Sequence, residues 1–280
     1  MPPALAALVA EAGVEEVMVN PDGRVWVERT GSLESTDISL DERVRETLAR
    51  RLASSLGLDF SPLFTGTVGE ARVQVVLPPL VKAPALTFRL PAARAFSLED
   101  FFVSPAQRAL IENAVASGRS VLVSGGISSG KTSFANALLA LPAFASARLV
   151  VIEDTPELRP LSSDVVSLHA GEQASARELL RAALRLRPDR LILGEVRGGE
   201  AYDLLQALNT GHGGSLSTIH ANTAEDALFR LLDLAREAVP GFSGNAIRRA
   251  NPLVVQLGRR DGRRCLLSIN DSNTSKGDFS

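Results

Sequence analysis

Cysteine is almost missing from this chain: Cys265 is the only one in 280 residues. An internal disulfide and a cysteine-built metal cluster are thereby excluded, and a reducing compartment fits. Lysine is nearly as scarce, with Lys82, Lys131 and Lys276 alone, so a lysine inside a motif carries weight. There is no excess of positive charge either. At a formal net charge of −2, no global basic field draws the chain onto nucleic acid or an acidic membrane, and direct nucleic-acid binding is not expected. No apolar run approaches the ~20 residues of a membrane span, and the apolar residues 1–10 lack the basic flank of a signal peptide. The expectation is a cytoplasmic chain with no intrinsic membrane segment, any membrane association coming through a partner. A hydrophobic content of 45% over this length supports one large or two ordinary domains.

What is present begins with texture. Residues 14–20 and 24–28 alternate apolar and polar around Asn20-Pro21-Asp22-Gly23, the composition of a hairpin turn. Val44, Leu48, Leu52 and Leu56 recur every four residues and stop at Gly57, which predicts a helix over 41–56 with that spacing as its buried stripe. Strands at 72–77 and 86–90 complete a small α+β domain over residues 1–92, followed by a linker over 93–100. From 101 to 270 strands alternate with helices, as in an α/β domain with a mainly parallel sheet. Its strands are expected at 121–123, 149–152, 191–193 and 216–219, with a closing hairpin of 253–257 and 265–269. Residues 271–280 read as a flexible polar tail.

Gly125-Gly126-Ile127-Ser128-Ser129-Gly130-Lys131-Thr132 fits G-x-x-x-x-G-K-[ST] directly after an apolar strand. Small residues let successive backbone N–H groups point at one anion, and a helix starting near Lys131 adds its positive end. The phosphate-binding set is Gly125, Gly126, Ser128, Ser129, Gly130, Lys131, Thr132 and Ser133. Lys131 is read as a solvent-side loop charge that reaches the β/γ-phosphates, and Thr132 as a magnesium ligand. Ligands collect at the carboxyl ends of the strands of such sheets. The residues there are Glu153 and Asp154 after one strand, Glu195 after a second, and His220 after a third. Hydrolysis of a nucleoside triphosphate needs a carboxylate to orient water and another to hold the magnesium shell, so Glu153 and Glu195 are the candidates and His220 the candidate γ-phosphate sensor. Asp154 and His212 are as readily structural as functional, and His169 reads as a loop or packing residue. Residues 191–195 resemble a Walker B strand in which Gly194 stands where a magnesium-binding aspartate often does. Arg72, Arg89 and Arg197 are the candidate phosphate arginines, from this or an adjacent subunit. The arginines of 177–187 read as a solvated helix face.

Four ordered boxes are similar to those of a known family: Gly125 to Thr132, Val151-Ile152-Glu153-Asp154-Thr155-Pro156-Glu157-Leu158, Arg187-Pro188-Asp189-Arg190 through Gly194-Glu195-Val196-Arg197-Gly198-Gly199-Glu200, and Asn209-Thr210-Gly211-His212 through Thr218-Ile219-His220-Ala221-Asn222. They resemble the type II/IV secretion traffic ATPases and, among these, the TrbB-type conjugal transfer ATPases of type IV secretion. The resemblance implies a RecA-like P-loop domain behind a small α+β domain, a hexameric ring, and ATP and Mg2+ as cofactors. It further implies peripheral association with inner-membrane secretion or pilus components, with Glu153 in the water-activating box and Glu195 in the magnesium-shell position. The alternatives are a pilus extension or retraction ATPase, a nucleotide-binding scaffold without turnover, and a P-loop kinase.

Overall fold

The computed structural model describes residues 1–29, 32–90, 96–260 and 262–271. The chain divides into two compact units, Met1–Arg94 and Ala95–Ser280. Residues 93–95 of the expected linker and 272–280 of the expected tail lie outside the described residues. Among the described residues no helix is long and apolar enough to cross a membrane.

The first unit runs α1 (Pro3–Val9), β1 (Val14–Val19), β2 (Arg24–Arg29), β3 (Ser32–Ser39), α2 (Glu42–Ser55), β4 (Leu63–Val68), β5 (Ala71–Val76) and β6 (Ala85–Arg89). The strands form one antiparallel sheet in the order β3-β2-β1-β6-β5-β4. Alternation explains its two faces: Val17, Val25, Val73 and Phe88 join Leu48 and Leu52 of α2 in the core. Arg72 and Arg89 face each other across the β5–β6 ladder on the other side, both exposed. The buried stripe of α2 differs from the expected one. Val44 is 39% exposed, and Arg45 is buried beside Leu48, Ala49, Leu52 and Ala53. A strict four-residue spacing drifts around a 3.6-residue helix, so the face shifts by one position at its start. Arg45 Nη1 donates to the carbonyl of Asn20 at 3.2 Å and would lie 2.8 Å from a Cβ on Gly23, whose φ is +91°. That turn therefore requires glycine twice over.

The second unit contains a 3₁₀ turn (Leu98–Phe101), α3 (Pro105–Ala116), β7 (Val121–Gly125), α4 (Lys131–Leu139), α5 (Pro142–Ala145), β8 (Leu149–Glu153) and β9 (Val165–His169). It continues through α6 (Ala176–Ala183), β10 (Arg190–Val196), α7 (Glu200–Asn209), β11 (Leu216–Ile219), α8 (Ala224–Ala238), α9 (Asn245–Ala250), β12 (Leu253–Arg260) and β13 (Arg263–Asp271). The sheet order is β13-β12-β7-β11-β10-β8-β9, parallel except for the β12–β13 hairpin. Helices cover both faces, which is why the central strands read as continuous apolar runs. Leu122, Val150, Ile152 and Leu193 pack with α7 and α8, while Val121, Val123, Val151 and Ile192 pack with α3 and α4.

Three details differ from the sequence reading. Leu98, within the expected linker, is buried in this unit's core beside Phe101, the first residue of the expected domain, which lies edge-on to Phe134 at 5.0 Å. β13 continues to Asp271, which pairs with Leu253 and takes a 2.8 Å salt bridge from Arg119, so the strand reaches into the expected tail. The helix expected over 177–187 ends at Ala183, and its arginines are not all solvated: Arg177 and Arg181 clamp the buried Asp203 of α7 at 2.6 and 2.8 Å.

Candidate functional site

The glycine-rich loop joins β7 to α4. A Cβ on Gly125 would stand 2.4 Å from Ser129 Oγ and 2.8 Å from the Leu257 carbonyl oxygen, so only glycine lets the loop curl this tightly. Gly130 takes φ +91° and Ser128 φ +56°, both left-handed. Ser129 Oγ donates back to the Gly126 carbonyl at 2.8 Å. Ile127 at the loop tip is 87% exposed. Lys131, Thr132 and Ser133 form the first turn of α4, where backbone N–H groups have no intrahelical partner.

Lys131 is not the solvent-side charge expected from the sequence. It is buried, and its Nζ donates to the carbonyls of Gly125 at 2.9 Å and Gly126 at 3.0 Å. As the first helical residue, it folds back across the loop it follows.

Beside it stands His220, just past β11, with Nδ1 3.2 Å from Lys131 Nζ and Nε2 2.7 Å from Glu195 Oε1. Lys131 Nζ also lies 3.5 Å from Nε2; an ammonium only donates, so the ring nitrogen that meets it accepts, and which nitrogen that is follows the tautomer of the ring. The contact with Glu195 is short without the alignment of a hydrogen bond. Burial, with the Lys131 charge beside it, holds the His220 pKa below its ordinary value, although Glu195 pulls the other way. Glu195 Oε2 accepts from Arg197 Nε at 2.7 Å, and Arg197 also pairs with Asp154. Lys131, His220, Glu195, Arg197 and Asp154 thus form one connected chain of polar groups at the carboxyl ends of β7, β8, β10 and β11.

Glu153 ends β8, one strand from Glu195. It is 7% exposed, and its Oε1 accepts from the backbone N–H groups of Glu157 (3.0 Å) and Leu158 (2.9 Å). Burial raises its pKa, with those two hydrogen bonds opposing. The segment it holds docks on α4, where Asn136 donates to the Glu157 carbonyl and accepts from the Arg159 N–H. Gly194 makes room for it: a Cβ there would be 3.0 Å from Glu153 Cγ. A larger residue in that Walker B position would displace the carboxylate.

Other candidates stand apart. His212 precedes the amino end of β11, at the opposite end of that strand from His220, with Nδ1 buried and unpartnered. His169 is exposed at the end of β9, in register with Glu153 rather than in an unrelated loop. Arg72 and Arg89 belong to the first unit. Sequence reasoning missed Glu200, whose Oε1 accepts from the N–H groups of Arg197 at 2.6 Å and Gly198 at 2.9 Å and so fixes the turn after Glu195. Its place three residues past Arg197 was the available signal, since acids often cap the first turn of a helix.

The residues fit a phosphate-bearing ligand: unused N–H groups at a helix start, glycines where a Cβ would fill the cradle, and a placed ammonium. No group of three or more His, Cys, Asp or Glu among the described residues could hold a metal on its own. The donors at hand, the Thr132 hydroxyl and the Glu195 carboxylate, suit a magnesium ion that arrives with phosphates and keeps much of its water.

The type II/IV secretion system protein family model matches residues 64–274. The conjugal transfer protein TrbB of Rhizobium radiobacter is 39% identical over 272 residues, spanning 93% of this chain and 84% of the relative. The type IV secretion system protein PtlH of Bordetella pertussis is 36% identical over 270 residues, covering 81% and 78%. Among solved structures, the VirB11 ATPase of the Brucella suis type IV secretion system, in complex with sulphate, is 28% identical with a TM-score of 0.54, covering 96% of this chain and 92% of that one. The Legionella pneumophila ATPase DotB shares the fold at a TM-score of 0.71 and 18% identity, covering 95% and 80%. With a family model across most of its length and relatives above 30% identity, this chain belongs to the type II/IV secretion system protein family.

Proposed function

We propose that this protein is an ATPase that hydrolyses ATP with Mg2+ to power conjugal transfer or a related type IV secretion process. The observation that carries the reading is the Lys131–His220–Glu195 cluster at the phosphate loop, where the ammonium and the carboxylate meet through one imidazole. Thr132 and Glu195 would hold a magnesium ion, which would supply charge neutralisation for the phosphates when bound. The chain's own residues do the rest. The loop N–H groups and Lys131 bind and orient phosphate oxygens, and Lys131 exchanges its two loop carbonyls for them. Glu153, its Oε1 fixed by two backbone donors, offers Oε2 to orient the attacking water and accept its proton. His220 reads the γ-phosphate from its place beside Lys131.

The same reading makes the protein a homo-oligomer, a hexameric ring, in which Arg72 or Arg89 completes phosphate binding. It would be peripherally associated with the inner membrane through secretion components. A test is magnesium-dependent phosphate release by the purified chain, alongside Glu195→Gln. Turnover that rises with magnesium and collapses in the variant supports the proposal. A chain that binds ATP and never turns over would be an assembly scaffold instead.

A further inference from the structure

Gln256 belongs to no motif, yet it is only 3% exposed and lies on β12, next to the phosphate-loop strand. Its Nε2 donates to the carbonyls of Asn222 at 3.1 Å and Ala221 at 3.3 Å and approaches that of Leu257 at 3.4 Å. Three carbonyl oxygens on one side fix which way the amide points. The first two belong to the residues directly after His220. Gln256 Oε1 is buried with no partner, and Ser124 Oγ, in register on β7, is equally buried and unpartnered. Buried unsatisfied polar atoms are costly in a core, and an apolar side chain here would avoid that cost. The same strand also touches the phosphate loop twice, through the Leu257 carbonyl beside Gly125 and through Arg259, whose Nε donates to the Ser128 carbonyl at 3.1 Å.

We infer that Gln256 is a positioning residue that holds the backbone after β11 so that the His220 ring stays between Lys131 and Glu195, with β12 as the common brace of that ring and the phosphate loop. The residue acts through His220 and touches neither Lys131 nor Glu195 itself. The inference deepens the ATPase reading, since the ring it places is the proposed γ-phosphate sensor.

The test uses the full chain and has a readout that needs no nucleotide. Histidine ring NMR shifts at one fixed pH of about 8 are recorded for the wild type, Gln256→Met (similar volume, no donor) and Gln256→Asn (an amide one methylene short), with His220 assigned by His220→Ala. In both variants the His220 ring signals should move and broaden as the ring leaves its place between Lys131 and Glu195, while the ring signals of His169 and His212 keep their wild-type positions and the unfolding midpoint moves by a few degrees at most. Turnover should fall about 10- to 100-fold, with the KM for ATP within about threefold. The double variant Gln256→Met, His220→Ala should be no slower than His220→Ala alone. Unchanged His220 ring signals in both variants, additive losses in the double variant, or unfolding of both variants would overturn the assignment. Absence of turnover in the wild type would refute the ATPase reading, and the NMR arm would still decide the role of Gln256.

Discussion

Glu153→Gln separates the chemistry of this carboxylate from its structural work. Oε1 anchors the backbone of Glu157 and Leu158, which in turn meets α4 through Asn136. The amide oxygen of glutamine can accept the same two N–H groups, so the segment should keep its place while the negative charge and the base are lost. Removing a general base costs about 10²- to 10⁴-fold in turnover, with ATP affinity within a few fold of wild type. Stability should hold or rise. The Glu153 pKa is raised, chiefly by burial, so the folded state binds its proton more tightly than the unfolded one. That contribution is fully present below the ordinary value of 4.5 and is lost as pH rises through the folded pKa. The wild type therefore loses relative stability over that interval, and the glutamine variant does not. Glu153→Ala differs by leaving two half-buried donors unpaired, at a cost of up to about 1–3 kcal/mol for each. Thermal unfolding at pH 5 and pH 8, with phosphate release on the same preparations, reads all of this. Glutamine as destabilising as alanine, or turnover near wild type, would refute the reasoning.

Protonation of His220 should stop turnover. Its pKa is lowered by burial and by Lys131, so the neutral ring of the free protein persists below the ordinary value of 6.5 and the acid limb of the kcat/KM profile should lie below that pH; an acid limb above it contradicts the assignment. The linked stability is present above 6.5 and is lost as pH falls through the folded pKa. Gly194→Ala puts a Cβ 3.0 Å from Glu153 Cγ and should cut turnover about tenfold or more, while the unfolding midpoint drops by the ~1–3 kcal/mol of overpacking; calorimetry and steady-state kinetics check both. If arginines from the first unit act across subunits, specific activity should rise with protein concentration and Arg89→Ala should lower kcat far more than ATP affinity, read by light scattering with kinetics.

The sequence made the second unit's architecture legible because its strands are buried on both faces and read as apolar runs ending in polar residues. Residue identity at those ends then gave Lys131, Glu153, Glu195 and His220. Less could be read where side chains carry a weak pattern. β3 is a polar edge strand exposed along most of its length, and β4 carries Gly66 against Leu56, so neither shows a clean alternation. Spacing could not show that Lys131 turns inward, because that depends on the path of the loop. The separation of His212 from His220 follows from which end of β11 each occupies. Arg197 looked available for phosphate, yet it is committed to Glu195 and Asp154, pairings that join residues up to 43 positions apart. Gln256 was invisible for a different reason: its partners are backbone carbonyls, which leave no trace in residue identity, whereas Glu200 carried only the weak signal of an acid at the start of a helix.

The most direct measurement of the central claim is ATP binding and magnesium-dependent phosphate release by Lys131→Ala beside the wild type. Lys131 is the ammonium at the phosphate loop, bonded to Gly125, Gly126 and His220. The account predicts measurable turnover in the wild type, and in the variant a folded protein with weakened ATP binding and turnover at background. Wild-type turnover persisting in Lys131→Ala would contradict it.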